Sequence, residues 1–161
     1  MPWNPEVTVA AIVERDGRFL MVEERSAGRL VLNQPAGHLE DRETLLEAVI
    51  RETREETAWR FTPEALIGTY LWRNPENQRT FLRFAFCGSV DDHQPEQPLD
   101  TGIVRAVWMS HEQLLAQPGR LRSPLVLRCL DDYFRGMRQP LDSVATLSLE
   151  SALHFDAVVS L

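Results

Sequence analysis

The stretch GHLEDRETLLEAVIRETREETAW, Gly37 to Trp59, constrains this chain more than any other segment. Leu45, Leu46, Val49 and Ile50 recur at helical spacing, so part of it must dock on a core. Thr44 and Glu47 form an S/T-x-x-E capping box, which predicts a helix starting near Leu45 and running to about Ala58. Leu46, Val49, Ile50 and Thr53 then share one face. Glu47, Arg51 and Glu55 fall on an outer edge at i, i+4 spacing, where a solvated ion-pair ladder explains Glu47 and Arg51.

Glu52 and Glu56 do not fit that explanation. Glu52 has Ala48 and Glu56 four residues away and Val49 and Glu55 three away, with no cation among them. Glu56 lies one heptad after Val49, with only Arg60 ahead of it. Like charges at i, i+4 cost roughly 0.2–0.5 kcal/mol even when exposed. A divalent cation would remove that cost, and Mg²⁺ takes hard oxygen ligands while keeping waters that a phosphate can displace. Glu52, Glu55 and Glu56 span roughly a third of the helix circumference and can face one ion. On helix geometry alone, a solvated acidic face and a cation site account equally well for them.

The order of the remaining elements frames this helix. Glu6 to Glu14 and Arg18 to Glu24 read as a hairpin turning at Asp16-Gly17. Ala65 to Arg73 and Thr80 to Val90 read as longer strands and Val104 to Met109 as a short one. A polar loop, Asp91 to Gly102, holds Pro95 and Pro98. Ser110 with Gln113 caps a helix over HEQLLAQ. Ser123-Pro124 opens another over LVLRCLDDYFRGM. Strands, helix, strands, helices predict a mixed α/β (α+β) domain with helices covering a sheet. The length of 161 residues suits one domain over 1–161, with its core in about 7–141 and a mixed tail after Leu141.

A net charge of −7 argues against a nucleic-acid polymer as partner, since such binders cluster Lys and Arg. It leaves room for a phosphorylated small molecule accompanied by a metal ion. Cys87 and Cys129 sit in apolar runs and read as buried free thiols. The first residues lack a basic n-region and a long apolar run, and no stretch matches a membrane span. Cytoplasmic residence is the expectation. Monomer and homodimer are equally open.

Gly37 is followed by five residues and Glu43, then by seven residues and Arg51-Glu52. Thr53, Arg54, Glu55, Glu56, Thr57, Ala58 and Trp59 complete the pattern. This resembles the Nudix box, whose six fixed polar or glycine positions arise by chance in roughly fewer than one in ten thousand chains of average composition. Two positions depart from it. Thr53 stands where an aliphatic residue is usual. Ala58 replaces the closing glycine, at about 1 kcal/mol if φ is positive there. The segments VLNQPAGHLE, TFLRFAF and LRSPLV extend the resemblance, toward a branch of bacterial Nudix phosphatases.

The resemblance implies a mixed β-sheet between helices, with the box as loop–helix–loop. It also implies Mg²⁺-dependent hydrolysis of a nucleotide or other organic diphosphate, with Mn²⁺ as a substitute. Glu52, Glu55 and Glu56 would hold the metal, and Glu52 would orient or deprotonate the water. Gly37 would let the loop backbone approach the metal, and Glu43 and Arg51 would tie loop to helix. Some relatives recruit another acid from a later loop. Val107 precedes Trp108 here, leaving Glu96 or Asp100 as substitutes.

For substrate contacts, Gln34, Arg83 and Arg122 could meet phosphate or base, and Trp72 or Phe81 could stack on a ring. Packing alone also accounts for each. His38 reads as a loop-stabilising residue that could touch a phosphate. The alternative to a hydrolase is a catalytically inactive Nudix-fold nucleotide-binding module. Such proteins commonly lose box acids, and none is lost here.

Overall fold

The computed structural model describes residues 2–147. The centre of the sheet is β1 (Glu6–Arg15), whose run VTVAAIV is buried on both faces. Val9, Ala11 and Val13 point to one hydrophobic cluster, and Ala10 and Ile12 to the other. A strand covered on both sides has no need of polar alternation.

The hairpin partner is β2 (Arg18–Ser26), and Asp16 (φ 52°) and Gly17 (φ 75°) make the turn. β2 leaves β1 after its tip and pairs instead with β3 (Arg29–Asn33) and β7 (Ile103–Ser110), both antiparallel. β1 is flanked by the short β4 (Ala36–His38), antiparallel, and by β6 (Thr80–Asp91), parallel. β5 (Arg60–Arg73) lies outside β6.

The helix α1 (Leu45–Thr57) covers one face, with Ala48 and Val49 against Val9, Ala11, Leu20 and Phe86. Its capping box forms as the sequence predicts: the Glu47 N–H donates to Thr44 Oγ1 (3.1 Å) and the Thr44 N–H to Glu47 Oε2 (2.7 Å). Thr53 is fully buried, and its hydroxyl donates to the Val49 carbonyl one turn back (2.8 Å). Ala58 closes the helix in the left-handed region (φ 61°, ψ 13°), so the chain does make there the turn that glycine favours.

The opposite face carries α2 (His111–Leu115) and α3 (Leu125–Phe134), with Leu114, Val126, Cys129 and Leu130 against Ile12, Phe19, Met21 and Leu32. The N-cap of α3 is Pro124, one residue later than the sequence reading placed it, and the Ser123 hydroxyl just ahead accepts the Leu125 N–H (3.2 Å). Cys87 and Cys129 are buried free thiols.

The sequence reading missed β3 and β4 and started β5 five residues late. β4 is a three-residue strand, too short for a periodicity. β5 contains Pro63, which a strand tolerates only on an edge or at a bulge. It has both: β5 is the outermost strand, and its register slips between Pro63 and Ala65. Leu141 and Val144 pack on the α1-side cluster. The rest of the expected tail, 148–161, lies outside the described residues.

Candidate active site

Gly37 sits in β4 opposite Val9 because a side chain would not fit there. A Cβ would lie 2.0 Å from Glu52 Cδ and 2.2 and 2.3 Å from its oxygens. The loop and the Glu52 carboxylate are therefore pressed together.

Arg51 fixes the carboxylates. Its Nε and Nη2 donate to Glu43 (3.0 and 2.7 Å), and Nη2 also to the His38 carbonyl (3.0 Å). Its Nη1 donates to both Glu52 Oε1 (2.9 Å) and Glu55 Oε2 (3.2 Å). The expected tie of loop to helix through Glu43 is present. The expected Glu47–Arg51 ladder is not, because Glu47 is spent on the cap and Arg51 turns to the loop. Glu52 meets a cation after all, its own chain neighbour, a position that helix spacing does not place face to face.

The Arg51 guanidinium holds the Glu43 carboxyl below the usual carboxylate range. Burial pushes Glu52 up and outweighs Arg51 beside it. Glu56 is 5% exposed, and burial pushes its carboxyl to about 9. Its Oε1 accepts the Ala36 N–H (2.7 Å), while Glu24, Glu52 and Asp100 add like charge. Arg60 does not reach it, being paired to Asp91 (2.7 Å).

A cavity of about 380 Å³ opens beside these acids. Its lining gathers Gly37, Glu52, Glu56 and Asp100 around the acids and Asn33, Trp72, Phe81 and Arg83 around β6 and its neighbours, with Arg122 also in the wall. Of the two substitute acids, Asp100 reaches the cavity and Glu96 is absent from its lining. Glu55 stands just outside, bound to Arg51, and accepts the Asp100 N–H at its backbone carbonyl (2.9 Å).

Arg122 lines the wall and pairs with Glu24 (2.6 Å). Trp72 and Phe81 stack on each other with centroids 5.8 Å apart. His38 lines the rim, 3.6 Å from Glu6. Gln34 is 1% exposed and lies behind the cavity, its amide spent on the Val126 carbonyl (2.8 Å) and on Arg83 (3.1 Å). Glu24 and Asn33 line the cavity and were not singled out from the sequence. Glu24 sits on β2, which pairs with the distant β7, and Asn33 ends β3, a strand the sequence reading did not find.

Among the described residues, no group of three or more His, Cys, Asp or Glu is arranged to hold a metal ion. Arg51 supplies the positive charge between Glu52 and Glu55 instead. The donor chemistry nevertheless fits a hard cation: the acids are oxygen ligands, Glu56 is buried without a cationic partner among the described residues, and Gly37 clears space beside Glu52.

The NUDIX domain profile matches residues 3–128. The chain belongs to the NUDIX domain family. Phosphatase NudJ of Escherichia coli (strain K12) is 43% identical over 142 residues, covering 88% of this chain and 92% of that protein, and the Shigella flexneri protein of the same name matches equally. A NUDIX hydrolase structure from Nitrosomonas europaea superimposes with a TM-score of 0.86 at 46% identity, covering 89% of this chain and 98% of that one. A MutT NUDIX hydrolase from Burkholderia pseudomallei, 19% identical over 80% of this chain and 98% of its own, shares the fold (TM-score 0.64). The protein is a Nudix hydrolase of the NudJ-like branch, acting on phosphoric anhydrides. No helix among the described residues is long and apolar enough to cross a membrane.

Arg51→Ala is expected to lower both the melting temperature and the activity of this Nudix hydrolase. Arg51 is 22% and Glu43 14% exposed at the side chain, and losing a charged, bidentate partner costs about 2 kcal/mol. Arg51→Lys recovers little, because one ammonium cannot hold Glu43, Glu52 and Glu55 together. Thermal melts and steady-state kinetics on the same preparations check this. Equal melting temperatures for Arg51→Ala and parent would remove the structural role.

Proposed function

We propose that this Nudix domain is a Mg²⁺-dependent pyrophosphohydrolase, with Mn²⁺ as a substitute. Its substrates are nucleoside tri- and diphosphates and related organic pyrophosphates, among them pyrimidine pyrophosphates of the thiamine pathway. The setting is cytoplasmic, and the substrate is a small molecule. The observation that carries the reading is that one cavity brings buried acids together with aromatic rings and arginines.

Glu52, Glu55 and Glu56 would hold the ion. Bound there, Mg²⁺ supplies neutralising charge to the nonbridging phosphate oxygens. The remaining work falls to the protein. Glu52 orients the attacking water and accepts its proton, so that the water oxygen bonds to phosphorus as the bridging P–O bond breaks. Arg51 keeps Glu52 in place. Burial raises the Glu52 carboxyl above its ordinary value, the direction that makes a carboxylate a stronger base. Arg122, paired with Glu24, adds positive charge to the wall, Arg83 holds Asn33, and Trp72 and Phe81 offer ring faces.

The test is a phosphate-release screen over nucleotides and organic pyrophosphates with Mg²⁺, Mn²⁺, Ca²⁺ or chelator. Mg²⁺ and Mn²⁺ should support turnover. Ca²⁺ should compete with Mg²⁺ and support turnover poorly, since its looser shell places water and phosphorus less well and displacements of about 1 Å are costly. Full activity in chelator would end the metal reading. Tight nucleotide binding with no turnover would favour the binding module.

A further inference from the structure

Arg83, on β6, is 5% exposed, and no Asp or Glu among the described residues pairs with it. Its Nη1 donates to Gln34 Oε1 (3.1 Å) and its Nη2 to Asn33 Oδ1 (3.3 Å). Its Nε is buried without an acceptor among the described residues. A guanidinium only donates. Both amides must therefore turn their oxygens toward Arg83 and their N–H groups away from it.

For Gln34 the outcome is a hydrogen bond from Nε2 to the Val126 carbonyl (2.8 Å). Asn33 has no such outlet: its amide nitrogen meets no acceptor among the described residues, and the residue lines the cavity. Arg83 thereby makes this part of the cavity wall a face of donors. Trp72 and Phe81, nearly parallel at 21°, line the same cavity.

Strand spacing sets the breadth of the sheet under the cavity. His38, Thr8 and Arg83 lie in one row across β4, β1 and β6. Two strand spacings make roughly 10 Å between the ends of that row, enough for a diphosphate and its linking group.

We infer that Asn33, oriented by Arg83, sets the specificity of this pocket by reading a hydrogen-bond acceptor on the edge of a planar heteroaromatic ring. The acceptor is a carbonyl oxygen or ring nitrogen at the non-reacting end of the substrate. Asn33 touches the ring, and Arg83 is a positioning residue that acts through it. The inference rests on the hydrolase reading above and names the organic part of its substrate.

The experiment compares thymidine triphosphate with the difluorotoluene nucleoside triphosphate, a ring of the same shape whose fluorines accept hydrogen bonds poorly. The enzyme should favour the thymidine substrate in kcat/KM on the order of 10-fold to 100-fold, because the analogue leaves desolvated donors unpaired. Asn33→Ala should bring the ratio close to one, mostly through KM. Arg83→Met should do the same, while Arg83→Lys, which still offers only donors to the Asn33 oxygen, should keep part of the ratio. If Arg83→Met fails to fold, Asn33→Ala carries the test alone.

A wild-type ratio near one would overturn the inference. So would variants that lose activity equally on both substrates, which would assign these side chains to phosphate. Equilibrium binding of the same pair to the metal-free protein separates the two readings. A binding ratio without hydrolysis sinks the hydrolase and keeps the ring contact, and hydrolysis without any ratio does the reverse.

Discussion

Glu56→Gln is expected to abolish most hydrolysis and to stabilise the metal-free protein at neutral pH. The carboxyl is 5% exposed and pushed by burial to about 9, well above its unfolded value of 4.5. For a group raised in the folded state, the associated stability is complete below the unfolded pKa and is lost as pH rises toward the folded one. In metal-free protein the loss therefore runs from about pH 4.5 to about 9. At 1.36 kcal/mol per unit it amounts to roughly 3 kcal/mol by pH 7. Glutamine keeps an oxygen for the Ala36 N–H and removes the titration.

Melts in chelator should show the variant several degrees above the parent at pH 7 to 8, with the two curves converging near pH 5. Turnover with saturating Mg²⁺ should fall on the order of 100-fold or more, the scale of losing one element of charge stabilisation. Unchanged turnover would remove Glu56 from the site. A large drop in stability at neutral pH would mean that the charge is compensated in the fold.

Gly37→Ala should be nearly as damaging to activity, by a different route. The added methyl would meet the Glu52 carboxylate at 2.0 to 2.3 Å, so carboxylate or strand must move. A displacement of about 1 Å in catalytic geometry costs about 100-fold. The expected result is that loss in kcat, a smaller change in KM and an intact far-UV spectrum. Gly119→Ala is the control, because nothing lies within 4 Å of its added Cβ. Wild-type kcat in Gly37→Ala would show that Glu52 works from another position.

The signals that were legible in the sequence are local ones. The capping box and the 3.6-residue period placed α1 within a residue of its observed ends, and the box residues fixed which acids to watch. The Glu43–Arg51 pair was legible through the family pattern, because both residues belong to it. Partners set by strand pairing were not legible. Glu24 and Asn33 come to the cavity from β2 and β3, and no spacing along the chain encodes their meeting with the box, whereas Asp100 was legible as a substitute acid only through the family pattern. Gln34 shows the converse: a polar residue beside a functional loop, buried and fully engaged in holding α3 and Arg83. Arg51 exposes a limit of helix-wheel reasoning. A long side chain on the wheel's edge reaches backward to a loop and sideways to its own neighbour.

The parallel pairing of β1 with β6 has a consequence for the order in which the molecule is made. The β1–β2 hairpin and the β1–β4 pair close over short stretches of chain. The other flank of β1 waits for a strand from the far half of the sequence, as the Arg15 contact with Val90, 75 residues away, illustrates. Non-local pairing of this kind pays its loop-closure entropy before any contact rewards it and so forms late. On the ribosome, the nascent chain holds a half-clothed apolar β1 until β6 has emerged. Since Glu52 and Glu56 arrive on α1 while Arg83 arrives on β6, the box acids and Asn33 are all synthesised well before the guanidinium that turns the Asn33 amide.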